Sequence, residues 1–134
     1  MATATSDPFP PLWRILGLSV AAGYAGLGSY AAFLPLTSST QVGLRSGTST
    51  ADSDKNISTA MLWIGARDFS IAAALFAFYY QDKPAEMGTV ILSGMILCVV
   101  DCVTYTRMRG AAPGSVMCAG AAIWGVIGWN LLQL

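Results

Sequence analysis

Apolar residues in this chain fall into four long runs, from Leu12 to Leu36, Ala60 to Tyr80, Met87 to Thr106 and Ser115 to Leu132. Each is close to the roughly 20 residues that span a bilayer core. In lipid a helix satisfies its own backbone N–H and C=O groups and an isolated strand does not, so each run predicts a helix. The fold class read from this pattern is all-α, a four-helix transmembrane bundle over residues 12–134. Prolines punctuate the gaps: Pro8, Pro10 and Pro11 precede the first helix, and Pro35 closes it. Pro84 and Pro113 suit helix starts.

The gaps differ in length. Gln81 to Glu86 and Arg107 to Pro113 predict tight turns, whereas residues 37–59 form a long polar stretch rich in Ser, Thr and Gly. Such a stretch either folds over one mouth of the bundle or is a flexible linker. Residues 1–11 are polar and lack the basic start of a signal peptide, and the run that follows is too long for its apolar segment. They are expected to be a retained flexible tail.

Composition agrees with a membrane setting. The chain is 54% hydrophobic and 10% charged, against about 25% charged in soluble domains. Seven basic and seven acidic residues cancel, which leaves no electrostatic footprint for nucleic acid. There is no His, which removes His-based acid–base work, His–Cys nucleophiles and most transition-metal sites. No cofactor or metal is therefore expected. Cys98 and Cys102 lie four apart in an apolar run, not in the spacing of a redox pair, and read with Cys118 as small packing residues. Arg14 and Lys83 lie on the side of the termini, and Arg45, Lys55, Arg107 and Arg109 on the other. This bias puts the first and third loops in the cytosol and the termini outside or in a lumen. The membrane would be the endoplasmic reticulum in a eukaryote. Small residues repeat every four positions as Gly17, Ala21, Ala25 and Ser29, Gly120 and Gly128 flank Trp124 at the same spacing, and Ala121 with Gly125 makes a second small strip; these predict close helix packing.

Three charges interrupt this pattern: Arg67, Asp68 and Asp101. A charge at membrane depth costs at least about 2.5 kcal/mol, so each needs a partner or a function. Asp68 lies roughly 13 Å along its helix from Thr59, and Asp101 roughly 9 Å from Arg107, both measured from the same side. The three can therefore meet. Arg67 and Asp68 are about 100° apart around the helix. Either Arg67 pairs with Asp101 and leaves Asp68 for substrate, or the reverse. A carboxyl left alone at that depth favours its neutral acid form, and one paired with Arg stays ionised and can act as a base. Tyr30, Trp63 and Tyr105 are the candidate substrate contacts, around a pocket opening toward the first loop.

Gly65-Ala66-Arg67-Asp68, the lone Asp101 and a Gly-rich first helix ending in Phe33-Leu34-Pro35 resemble a group of small four-helix membrane proteins similar to the DoxX-like family of fungi and bacteria. The resemblance runs from about Leu16 to Leu131. Members often carry a His at the start of the fourth helix, where this chain has Ser115 to Cys118, so no role resting on that His carries over. The resemblance implies no agreed activity. Some fungal members look like pathway proteins for lipophilic secondary metabolites, which implies a polyketide or terpenoid substrate.

Two carboxyl groups and an Arg suit acid–base chemistry without a cofactor. The reading is an enzyme that opens an epoxide by hydrolysis or cyclisation, or isomerises a lipophilic secondary metabolite, with Asp68, Asp101 and Arg67 as catalytic residues. The alternative is a membrane scaffold or escort protein whose Arg–Asp pair fixes helix packing. Transport by an oligomer is a third. The expected partners are a lipophilic small molecule, membrane lipid and a second copy of the chain, with no nucleic acid. A lipophilic pocket beside Asp68 and Asp101 separates enzyme from scaffold.

Overall fold

A computed structural model describes residues 10–44 and 50–134. Residues 1–9 of the tail expected over residues 1–11 and the loop position Arg45 lie outside the described residues, and Pro10 and Pro11 belong to the first helix. Among the described residues five helices follow in order: α1 (Pro10–Phe33), α2 (Pro35–Val42), α3 (Ala51–Tyr80), α4 (Pro84–Arg109) and α5 (Ala111–Leu132). The first, third, fourth and fifth are long and apolar enough to cross a membrane, and the chain is an integral membrane protein with a helical bundle.

The polar stretch expected between the first two spans is mostly helix. Pro35 opens α2 at the position where a missing N–H costs nothing. The hydroxyls of Ser38, Ser39 and Thr40 bond back to carbonyls three or four residues earlier, at 2.8–2.9 Å for the shortest bond of each. Ser38 and Ser39 can therefore be buried without orphaned polar atoms. Gly43 ends α2 in the left-handed region, at φ 85°, with its N–H on the carbonyls of Ser39 and Thr40. α3 starts at Ala51, nine residues before its apolar run. Thr50 caps it by accepting from the Ser53 N–H at 3.4 Å, and Asp52 and Asp54 sit in the first turn, where the helix dipole favours anions. Hydropathy alone is blind to these polar turns.

Close packing is greatest within two pairs, α1 with α3 and α4 with α5. Glycines make both possible. A Cβ on Gly65 would lie 2.8 Å from the Gly28 carbonyl oxygen, and one on Gly88 would lie 2.6 Å from that of Gly128. Such backbone approach is how helices associate in lipid. The two pairs meet in a dry core of Val20, Ala21, Tyr24, Ala72, Leu75, Met87, Ile91, Ile127 and Leu131. These residues occupy the half of the bundle nearer the described ends of the chain. There the α3–α4 turn is tied to α1 by an Arg14–Asp82 ion pair at 2.8 Å, with Arg14 also over the Tyr79 ring. The small-residue strip of α5 is only half used: Gly128 packs on Ile91, whereas Gly120 has no atom within 4 Å of where a Cβ would stand.

Candidate functional site

In the half of the bundle beneath α2 the two pairs part, and the three intramembrane charges stand in the gap. Gly28 and Gly65 let α1 come close enough that Asp68 is buried against it; a Cβ on Gly28 would lie 3.3 Å from that of Asp68. Arg67 is the neighbouring residue, and its long side chain folds back. Its Nε donates to Asp68 Oδ1 at 3.0 Å, and its Nη2 reaches the same oxygen at 2.9 Å. The same Nη2 donates across to Asp101 Oδ2 of α4 at 3.2 Å. Both pairings considered from the sequence thus occur together, because the side chain is long enough to overcome the 100° between neighbouring helical positions. The result is an Asp–Arg–Asp bridge between α3 and α4, one guanidinium serving two carboxyl groups. Its members differ in exposure: the side chain of Asp68 is 7% accessible, Arg67 32% and Asp101 39%.

Two adjoining cavities share this bridge. One, of about 240 Å³, lies toward the core and is walled by Tyr24, Trp124, Cys98, Cys102 and Ala121, with Leu27 and Met117 at its side. The other, of about 310 Å³, lies under α2 and is lined in part by Tyr30, Ser38, Gln41, Thr104 and Tyr105. Leu27, Arg67, Asp68, Asp101 and Met117 line both. Together they reach the size of ordinary small-molecule sites, apolar at one end and hydroxyl-rich at the other. In the apolar cavity the Tyr24 and Trp124 rings pack 4.8 Å apart between centroids, and the Tyr24 hydroxyl meets the Cys98 thiol at 3.7 Å. Gly94 opposite leaves the room that this hydroxyl needs, since a Cβ there would lie 2.9 Å from it.

Five of the six residues singled out from the sequence come together here: Arg67, Asp68, Asp101, Tyr30 and Tyr105. Trp63 does not. It is 74% exposed and lines neither cavity. It stands about 140° around α3 from Asp68 and points away from the bundle. Tyr24 and Trp124 were not expected. Tyr24, Leu27 and Ala31 share one face of α1 at helical spacing, and that periodicity was the available signal, but aromatic residues in an apolar run read as ordinary packing. Cys98 and Cys102 turn out to be wall as well as filler. Among the described residues no three His, Cys, Asp or Glu side chains converge to hold a metal ion.

No curated protein and no solved structure matches this chain. The model of a family described as a domain of unknown function, DUF4267, matches residues 21–131. That span takes in the whole Asp–Arg–Asp bridge and every residue lining the two cavities, and the chain belongs to this DUF4267 family.

Proposed function

We propose that the chain is a small membrane enzyme doing cofactor-independent acid–base chemistry on a lipophilic molecule held against Asp68, Arg67 and Asp101. The observation that carries this reading is the pair of cavities that share the three charges. A bridge whose sole task is packing needs no open space beside it. Here both carboxyl groups face a space large enough for a substrate.

Epoxide opening fits these groups. One carboxyl gives its proton to the epoxide oxygen as the C–O bond breaks. The other, as a carboxylate, takes a proton from the attacking water or substrate hydroxyl as the new C–O bond forms. The product is a diol or a cyclic ether, and passage of one proton between the two carboxyl groups resets the site. Isomerisation would use the same two steps without the water. The likeness to DoxX-like proteins and a polyketide or terpenoid substrate belong to the same reading. So do a cytosolic side under α2, with Lys55, Arg107 and Arg109, and an endoplasmic-reticulum membrane in a eukaryote.

A packing role is the second reading, and one observation favours it: the Arg67 guanidinium donates to both carboxyl groups and so ties α3 to α4. The test is turnover of a panel of lipophilic epoxides and polyenes by wild type, Asp68→Asn and Asp101→Asn in membranes. The enzyme reading expects wild-type turnover that falls by about 10²–10⁴-fold in either variant at unchanged thermal stability. Absence of turnover, together with unfolding of both variants, would leave the packing role.

A further inference from the structure

The apolar cavity has an open side. Trp124 of α5 packs over α1 where a Cβ on Gly23 would lie 2.8 Å from its ring. Past that contact, toward α2, the two helices part. Leu27 lines both cavities and is nevertheless 54% exposed. Facing it on α5, Met117 and Gly120 line the apolar cavity and are exposed too, with open space around Gly120. The gap between Leu27 and Gly120 is therefore a lateral mouth in the wall of the bundle.

Its depth decides what passes. Gly120 lies nine residues from Ala111 and twelve from Leu132, roughly 13 and 18 Å along the axis. In a hydrocarbon core of about 30 Å Gly120 is near the middle, and Leu27, six residues or roughly 9 Å from Phe33, lies nearer the α2 side but still within the core. The mouth faces acyl chains, not water or headgroups. A water-borne molecule would have to cross lipid to reach it, whereas a bilayer-dissolved one meets it directly. Just inside stand Arg67 and Asp101, part-exposed at a depth where charge is expensive. They call for a polar group on whatever enters.

We infer that the Leu27–Gly120 gap is a lateral portal through which the site takes a bilayer-dissolved amphipath. Its hydrocarbon arm lies against Tyr24 and Trp124, and its polar group lies at the Asp–Arg–Asp bridge. This rests on the proposed reaction only for what then happens to the polar group.

The test reads access, not turnover. In protein carrying Trp13→Phe, Trp63→Phe and Trp129→Phe, Trp124 is the single indole. Reconstituted in phosphatidylcholine brominated on its acyl chains, this protein should show strong quenching of Trp124. Gly120→Phe and, separately, Leu27→Phe fill the mouth and should remove most of that quenching. Gly26→Phe, also with open space around it but lining neither cavity, should leave it unchanged. Weak quenching in the parent protein, or quenching untouched by both mouth variants, overturns the portal whether or not any epoxide is turned over. Strong, mouth-dependent quenching without any turnover keeps the portal and removes the enzyme.

Discussion

The two halves of this bundle are built from the same four spans, yet they are held in opposite ways. Toward the described ends of the chain, Val20, Leu75, Met87, Ile91 and Leu131 close on one another with almost no exposure. Beneath α2, the α1–α3 and α4–α5 pairs separate around two cavities and are joined by one guanidinium between two carboxyl groups. Lipid is as apolar as a leucine core, so burying apolar area gives little drive between helices here. Dense packing of small residues can hold one half, and hydrogen-bonded charge can hold the other. The first leaves no space. The second tolerates space, and a site is built where space is tolerated.

The largest expected effect comes from breaking the charged join. Arg67→Met leaves two carboxyl groups near each other at membrane depth and should cost on the order of 3 kcal/mol, the lower end for a broken buried pair because Arg67 and Asp101 are part-exposed. The check is thermal or denaturant unfolding in detergent. Arg67→Met combined with Asp68→Asn and Asp101→Asn should regain most of that loss, since no unpaired charge remains. If the single variant were as stable as wild type, the open half would be held by something other than this bridge.

Next comes the packed half. Gly88→Ala would place a Cβ 2.5 Å from the Leu132 backbone nitrogen, and backbone cannot swing aside as a side-chain end can. The α4–α5 pair must spread, at a cost of about 2 kcal/mol by the same unfolding measurement. A smaller effect is expected at the roof. Arg109 donates to the carbonyls of Gln41 and Thr40 at 2.7 and 2.8 Å and so fastens the end of α2 to the end of α4. Arg109→Gln should cost about 1 kcal/mol and speed amide hydrogen exchange in α2 while leaving exchange in the packed half unchanged. Faster exchange in both halves would mean that the roof and the core are one cooperative unit.

How much of this could be read beforehand divides along the same line. The four spans were legible because a bilayer demands long apolar runs. Arg67, Asp68 and Asp101 were legible because a charge in such a run stands out against its cost. The small helix α2 and the polar start of α3 were not, since serine hydroxyls satisfied by the helix's own carbonyls look like loop composition. Trp63 was misplaced because nearness in sequence to Arg67 does not fix the helix face. Tyr24 and Trp124 were not singled out, because an aromatic wall and an aromatic core have the same composition and the helical spacing of Tyr24 with Leu27 and Ala31 reads as ordinary packing. Even the small-residue strips named Gly120 and Gly128 alike and left out Gly88, and so did not say that Gly88 and Gly128 approach closely while Gly120 stands open.

That last difference supplies the smallest prediction. Gly88, in the second turn of α4, and Gly120, in the middle of α5, are both glycines within apolar helical spans, and composition cannot tell them apart. In a helix interior glycine costs roughly 0.5–1 kcal/mol relative to alanine through backbone freedom lost on folding. At Gly88 the clash with Leu132 and Gly128 outweighs that gain; at Gly120 nothing opposes it. Gly120→Ala should therefore leave stability unchanged or raise it by up to about 1 kcal/mol, and Gly26→Ala, equally unobstructed, should behave alike. Loss of stability in Gly120→Ala but not in Gly26→Ala would mean that something packs on α5 in the membrane, a second copy being the obvious occupant. The mouth between Leu27 and Gly120 would then be an interface. The contrast between the halves is thus tested most finely by a single methyl group.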